Sequence, residues 1–201
     1  MAVKKLIEVW DGINLVDENI NFLKQKTKQV RIPFNENINN ILKDLLDTYK
    51  SIPCAGVAAN QIGYNYSIFI GLKEDRDDES EKNDIIGNPH SDNYEFYINP
   101  EIYHTTKKST QEGEEGCLSI PEIRIVAERF DKIKVKYYNK NGRKIKKPLK
   151  GFMSRLFQHE LDHLNGVLMV ENSKIKSAYK ISENEHLESL YTELTKKILQ
   201  K

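Results

Sequence analysis

The stretch QHELDHLNG, residues 158–166, decides how the rest of this chain is interpreted. It closes a segment, 149–165, whose apolar spacing and following Asn-Gly stop signal predict an α-helix. In a helix, His159 and His163 lie on the same face, separated by a rise of roughly 6 Å. Both imidazoles can therefore reach one metal ion, and Glu160 reaches the same place as a base for a bound water. The pattern predicts a metal site of the hydrolytic type.

An HExxH helix also occurs in zinc metallopeptidases, so it does not by itself identify the reaction. Those enzymes usually take a third ligand downstream of the second histidine. Here the downstream histidine is His186, at an unsuitable spacing, and Glu171 is a further formal candidate. A zincin-like metallopeptidase that cleaves internal amide bonds therefore remains the first alternative. We expect His90, His104 and His186 to be solvated surface residues.

A third ligand is available upstream, in the segment EGCLSIP at 115–121. Taken alone, Cys117 would be interpreted as a small buried side chain. However, Gly116 permits a tight turn and Pro121 ends the segment. A thiolate placed there would complete a Cys-His-His set with an open fourth position for water, as in catalytic metal sites. Spacing alone would suggest zinc.

Three separated motifs together resemble the signature motifs of the peptide deformylase family. They are GVAANQIG at 56–63, EGCLS at 115–119 and QHELDHLNG at 158–166, in that order. Weaker similarity extends from about residue 23 to residue 170. The resemblance implies a metal-dependent hydrolase that removes the N-formyl group from the N-terminal formylmethionine of newly synthesised proteins and releases formate.

The resemblance implies a metal centre with Cys117, His159 and His163 as ligands. The expected ion is Fe²⁺, which Zn²⁺, Ni²⁺ or Co²⁺ can replace, because the ligand set alone does not select one metal. Glu160 would act as general acid and base, and hydroxide would attack the formyl carbon. Behind the ligands, Glu115 would hold the loop that presents the cysteine.

Contacts with the substrate are also implied by the resemblance. The side-chain amide of Gln61 and the backbone N–H of Leu118 would stabilise the oxyanion. A tight site around Gly56 and Gln61 would exclude acetyl groups by crowding. The methionine side chain would enter an apolar pocket walled by Phe152, Leu156 and His159, and the peptide backbone would pair with strands that flank the second motif.

Two positions depart from the family pattern. Cys54 stands where the first motif usually begins with glycine, so that its side chain would crowd the loop. Gly113 stands where family members often carry an apolar pocket wall, so we expect a wider or differently shaped methionine pocket. A degenerate, non-catalytic binding protein is therefore the second alternative, and the intact Glu160 and Gln61 argue against it.

Composition bounds the remaining possibilities. The 201 residues, 38% hydrophobic and 30% charged, suit a single catalytic domain over 1–201. A formal net charge of +1 supplies no overall field that favours DNA or a membrane. No apolar run approaches the roughly 20 residues of a membrane span, and the first ten residues lack a signal-peptide pattern. The expected compartment is the cytoplasm, where Cys54 and Cys117 would stay reduced.

One surface stretch suggests a partner besides the N-formylmethionyl peptide. Residues 132–150, KIKVKYYNKNGRKIKKPLK, are rich in lysine. A solvated hairpin face is the simpler interpretation, and weak contact with ribosomal RNA is the alternative, since the substrate emerges at the ribosome. The end of the last helix, with Lys196, Lys197 and Lys201, is an equally weak candidate.

The order of elements predicts an α+β fold, with small mixed or antiparallel sheets packed around the central helix that carries HExxH. Residues 1–30 give weak signals, and 73–93 read as a surface loop. The other predicted elements are a helix at 35–52 capped by Asn35 or Asn37, strands at 67–72 and 94–100, alternation over 122–138, a hairpin turn at 139–142, and a helix at roughly 183–200 with a Ser182–Glu185 capping box.

Overall fold

The computed structural model describes residues 3–75, 87–172 and 174–199. Within them the chain forms an α+β fold with two antiparallel sheets, as the sequence predicts. The helices are α1 (Asp17–Leu23), α2 (Glu36–Ser51), α3 (Gly151–Leu164) and α4 (Leu187–Leu199). The strands are β1 (Gly56–Ala58), β2 (Ile68–Leu72), β3 (Tyr94–Thr105), β4 (Thr110–Cys117), β5 (Ile120–Phe130), β6 (Lys132–Tyr138), β7 (Lys144–Lys150) and β8 (Ile175–Lys180). No helix in these ranges is both long enough and apolar enough to cross a membrane.

The larger sheet has the strand order β1-β2-β3-β6-β7 and lies between two helices. Side chains on one face of β2, Ile68 and Ile70, pack with the apolar stripe of α2, whereas Phe69 on the other face packs with α3. A strand covered on both faces reads as a continuous apolar run, which explains the sequence IFIGL. Asn35 caps α2 by accepting a hydrogen bond from the Ile38 N–H at 3.0 Å.

The smaller sheet has the order β4-β5-β8 and its own core. Ile123, Ile125 and Ala127 of β5 pack against Leu190 and Leu194 of α4. The helix α3 contacts both sheets, because it touches β1, β2, β6 and β7 on one side and β5 on the other. It is therefore the central element, and the HExxH motif lies where the two cores meet.

Three local predictions need correction. The last helix begins at Leu187, not near 183, because the Ser182 hydroxyl donates to the Glu122 carboxylate at 2.9 Å and forms no capping box with Glu185. The alternation over 122–138 is divided between β5 and β6 by a turn at Asp131. The weak segment 1–30 contains α1. Of the loop at 73–93, residues 76–86 lie outside the described residues.

Two strand edges face the end of the HExxH helix. Among the described strands, β1 is at one edge of the larger sheet and β4 is at one edge of the smaller sheet. A cavity of about 450 Å³ lies between them and is bordered by 53–56, 114–118 and the residues of α3 that face it. The fold thus leaves a cleft with unpaired strand edges next to the predicted metal ligands.

Candidate active site

The three predicted metal ligands converge. One ligand atom each from Cys117, His159 and His163 lies within 4.8 Å of the other two, and all three residues are buried. The Cys117 Sγ is 3.2 Å from the Nε2 of His163, and the two imidazole rings are 5.0 Å apart in an edge-to-face arrangement. Cys117 is the last residue of β4, and its thiol meets the face of α3 that carries both histidines, as the sequence predicts.

The chemistry of these three side chains fits a metal ion. Burial opposes ionisation of Cys117, but the neighbouring His163 and His159 outweigh it and lower the pKa of the thiol to about 5. A thiolate is the form of cysteine that binds metals. Two imidazoles and one thiolate leave a fourth tetrahedral position for water or substrate.

Behind the ligands, Glu115 is held by a dense set of charged partners. Its carboxylate receives two hydrogen bonds from Arg129, from Nε and Nη2, both at 2.8 Å, and one from the Nη1 of Arg155 at 2.8 Å. The Nδ1 of His159 lies 3.0 Å from Glu115 Oε2, which leaves the Nε2 of His159 for the metal. Burial alone would raise the pKa of Glu115, but the hydrogen bonds from Arg129 and His159 hold it well below its usual range.

Glu160 is buried without such partners. Its Oε2 has no hydrogen-bond partner among the described residues. Burial raises the pKa of Glu160 to about 6, although His159 and His163 act in the opposite direction. A Cβ added to Gly56 of β1 would lie 2.7 Å from Glu160 Oε1, so only glycine leaves room for the carboxylate here. Glu160 therefore borders the cavity with a carboxyl group whose pKa is raised and whose Oε2 is unpaired.

Gln61 is fixed so that its amide N–H groups face the ligands. Its Oε1 accepts from the Ala58 N–H at 2.8 Å, and its Nε2 donates to Ser119 Oγ at 3.2 Å and lies 3.8 Å from Cys117 Sγ. Leu118, the residue after the thiolate, borders the same cavity. Both predicted oxyanion donors are thus next to the metal site.

The predicted pocket residues also border the cavity. Leu156 is buried, whereas Phe152 is 41% exposed and forms the rim. The space beside Gly113 is filled by Arg155, since a Cβ there would lie 3.1 Å from three atoms of the guanidinium. Gly113 is not among the described residues that border the cavity, whereas Arg155 is.

The comparisons with known proteins agree with this geometry. A family model described as polypeptide deformylase matches residues 13–178. The chain belongs to the polypeptide deformylase family. The peptide deformylase of Thermotoga maritima is 36% identical over 149 residues, which cover 74% of this chain and 79% of that protein.

Solved structures of the family show the same fold. The crystal structure of the Thermotoga maritima peptide deformylase has a TM-score of 0.67 and 30% identity, and the match covers 86% of this chain and 98% of that one. A class I type b peptide deformylase from Acinetobacter baumannii, solved with Met-Ala-Ser bound, has a TM-score of 0.67 and 25% identity, with coverage of 85% and 98%.

The first alternative, a third ligand downstream of the HExxH helix, is wrong. His186 is exposed, and Glu171 is engaged with Lys24 and the Leu168 N–H. His90 and His104 are exposed, as predicted. The thiol that lies beside the two histidines, that of Cys117, is upstream in the chain and belongs to the second motif.

Sequence reasoning missed part of the support for the site. Arg129, on β5, binds both Glu115 and Asp162, the latter at 2.5 Å. Nothing in the spacing of Arg129 distinguishes it from the solvated charges around it. Cys54 borders the cavity and is not disulfide-bonded, and burial raises the pKa of its thiol to about 12, so it stays in the inert thiol form.

Proposed function

We propose that Cys117, His159, His163, Glu160, Gln61 and Leu118 carry out the deformylation reaction of this enzyme. The enzyme is a metal-dependent hydrolase that removes the N-formyl group from the N-terminal formylmethionine of new proteins. The single observation that carries the assignment is the convergence of one thiolate and two imidazoles beside an unpaired buried carboxylate. We further propose that 1–201 acts as one catalytic domain.

We propose Fe²⁺ as the native ion, held by Cys117, His159 and His163, with Zn²⁺, Ni²⁺ or Co²⁺ as substitutes. When bound, such an ion would lower the pKa of a coordinated water toward about 7 and would polarise the formyl carbonyl. The assignment of iron follows from the family resemblance, because the donor set is also suited to zinc.

Glu160 moves the proton in this mechanism. Its carboxylate accepts a proton from the attacking water, and the C–O bond to the formyl carbon forms. As the C–N bond breaks, Glu160 returns the proton to the departing amine, and formate and a free amino terminus are released. A pKa raised by burial suits both steps, because the group must accept and release a proton near neutral pH.

The negative charge that develops on the formyl oxygen is stabilised by fixed donors. The amide of Gln61 is already oriented by its bonds to Ala58 and Ser119, so little reorganisation is needed during the reaction. The backbone N–H of Leu118 is the second donor that we assign. One such donor typically contributes about 10²–10³ in rate.

The cleft accounts for the binding of a peptide. The edges of β1 and β4 border it, so an extended peptide can add as a strand between them. The formyl group would lie against Gly56, where crowding excludes acetyl, and the methionine side chain would lie between Leu156 and the Phe152 rim. The related structure with bound Met-Ala-Ser supports this class of substrate.

The test is formate release by freshly purified protein handled without oxygen. We expect formate from formyl-Met-Ala-Ser, no cleavage of casein, and about one metal ion per chain. Cys117→Ala should lose the metal while remaining folded. Casein cleavage without formate release would contradict the assignment, and unchanged metal content in Cys117→Ala would remove the thiolate from the ligand set.

We also propose that the enzyme works in the cytoplasm in weak contact with the ribosome. On the outer face of β6 and β7, Lys132 lies opposite Lys150 and next to Lys134, and no ion pair involves these three among the described residues. Together with His104 they border a depression of about 390 Å³. Like charges opposite each other destabilise a sheet, and bound phosphates would relieve that cost. In the last helix, Lys197 pairs with Asp17, and Lys201 lies outside the described residues.

Co-sedimentation with ribosomes tests the ribosome proposal. The variant Lys132→Gln/Lys134→Gln/Lys150→Gln should lose low-salt co-sedimentation, because it removes phosphate contacts. The matched control changes three other exposed lysines, Lys26, Lys28 and Lys43, to glutamine and should bind normally. Equal binding by both variants would leave the lysine face as a solvated surface.

A further inference from the structure

The cavity-facing side of α3 carries two charged residues, Glu160 near the metal-binding group and Arg155, which lies among uncharged neighbours. Phe152, Arg155, Leu156 and His159, spaced as one helix face, all border the cavity. Arg155 is 5% exposed. A buried arginine in a pocket that receives an apolar side chain has an energetic cost unless its N–H groups are satisfied, so its surroundings decide its role.

The smaller sheet makes room for this guanidinium. Gly113 of β4 is directly opposite Ala127 of β5, so two small residues face each other in the register. A Cβ at Gly113 would lie 3.1 Å from Cζ, Nε and Nη2 of Arg155. The glycine and the arginine therefore form one structural unit, in which the absence of a side chain on β4 admits the side chain from α3.

The guanidinium is only partly satisfied by the protein. Its Nη1 donates to Glu115 Oε1 at 2.8 Å and to the Gly113 and Ala127 carbonyl oxygens at 3.1 and 3.0 Å, and its Nη2 donates to the Gln111 carbonyl at 3.1 Å. Its Nε–H and the second N–H of Nη2 have no acceptor among the described residues. Glu115 compensates the positive charge, so the group does not call for an anionic ligand. What it lacks is a neutral acceptor for these N–H groups.

We propose that Arg155, which borders the cavity, is a specificity-determining residue: an N–H of its guanidinium that lacks an acceptor meets the far end of the first side chain and favours a thioether over a hydrocarbon of the same length. The inference rests on the proposed function and names the group that distinguishes methionine from norleucine. The methionine sulfur is a weak hydrogen-bond acceptor, whereas the corresponding methylene of norleucine accepts nothing. Norleucine would displace the water that accepts a hydrogen bond from the N–H and would offer no acceptor in its place.

The experiment compares kcat/KM for formyl-Met-Ala-Ser and formyl-norleucyl-Ala-Ser in the same metal-loaded preparation. The ratio of the two values cancels differences in active fraction and metal content, which a merely structural role of Arg155 would change. We expect the unmodified enzyme to prefer methionine by roughly threefold to tenfold. In Arg155→Met the ratio should fall close to one.

Two further variants complete the test. Gly113→Ala should displace the guanidinium, because the added Cβ would lie 3.1 Å from three of its atoms. This variant should therefore also lower the ratio of the two kcat/KM values. It serves as the test if Arg155→Met does not fold. The matched control is Arg124→Met. Arg124 also borders the cavity, but it packs over Gly116, which lies on the opposite face of β4 and roughly 10 Å farther along it than Gly113. The overall rate of Arg124→Met is not part of the comparison, but its ratio of kcat/KM for the methionine and norleucine peptides should equal that of the unmodified enzyme.

The outcomes separate this inference from the proposed function. The role of Arg155 is overturned if the unmodified enzyme shows no preference for methionine, or if the Arg155→Met variant keeps that preference. In either case the proposed deformylation reaction is unaffected. A lower ratio in Arg124→Met as well would also overturn it, because the effect would not be specific to the Gly113 face. Failure of either formyl peptide to yield formate would instead remove the proposed function.

Discussion

Two buried carboxylates, Glu115 and Glu160, border the same pair of histidines but are held in different ways. Glu115 is bound by Arg129, Arg155 and His159, and its pKa is held well below its usual range. Glu160 has an oxygen without a hydrogen-bond partner among the described residues, and burial raises its pKa to about 6. Similar burial thus gives a fixed anion on the β4 side and a carboxyl group with a raised pKa on the β1 side, and the partners make the difference.

The largest expected effect is a loss of turnover when Glu160, the carboxylate on the β1 side, is changed. Glu160→Ala should lower kcat by about 10²–10⁴-fold while metal content is unchanged, because it removes the proton acceptor and no ligand. Its stability should equal or exceed that of the unmodified enzyme, since a buried, unpaired polar atom disappears. Formate release, metal analysis and urea unfolding measure the three quantities. An active, metal-loaded Glu160→Ala enzyme would remove Glu160 from the mechanism.

The next effect concerns the space left for that carboxylate. Gly56→Ala should lower kcat by about 10²-fold with the metal retained, because its Cβ would displace Glu160 by a fraction of an ångström to an ångström. The double variant Gly56→Ala/Glu160→Ala is the control. There the added methyl meets no carboxylate, so the two effects should not add. Full additivity would show that Gly56 acts independently of Glu160.

On the β4 side, the expected effect is on stability and metal affinity. Glu115→Ala should cost about 3–5 kcal/mol in the free energy of unfolding, because it leaves the buried Arg155 without an anion and Arg129 with Asp162 alone. It should also weaken metal binding by about 10–100-fold through the loss of the bond to His159. Glu101→Ala, which removes an exposed ion pair with Lys136, should change stability by less than about 1 kcal/mol. Similar losses in both variants would contradict the distinction.

The smallest effect is in the pH profile. Glu160 must be ionised to accept a proton, so kcat/KM should fall tenfold per pH unit below an inflection at about pH 6. A bound cation moves this inflection to lower pH, since nearby positive charge favours the carboxylate. Glu115, whose pKa lies well below its usual range, should add no inflection above pH 4.5. Persistence of the acid limb in the residual activity of Glu160→Gln would assign it to another group.

Several elements of this molecule follow directly from the sequence. The apolar stripe and Asn35 cap define α2, the unbroken apolar run defines β2, and the stop after His163 ends α3. These features depend on spacing within one segment, and such spacing fixes which side chains share a face. Where competing partners lie elsewhere in the chain, the same rules fail, as at Ser182, whose hydroxyl is bonded to Glu122.

The sequence by itself determined the types of candidate metal ligand, the histidine spacing and the family, because each of these follows from residues within short contiguous motifs. Only the tertiary structure decided which carboxylate is neutralised and which stays unpaired, since Arg129, Arg155 and Gly56 reach the site from three different elements. It also decided that Gly113 admits a guanidinium, because that depends on the register of β4 against β5 and on their packing against α3.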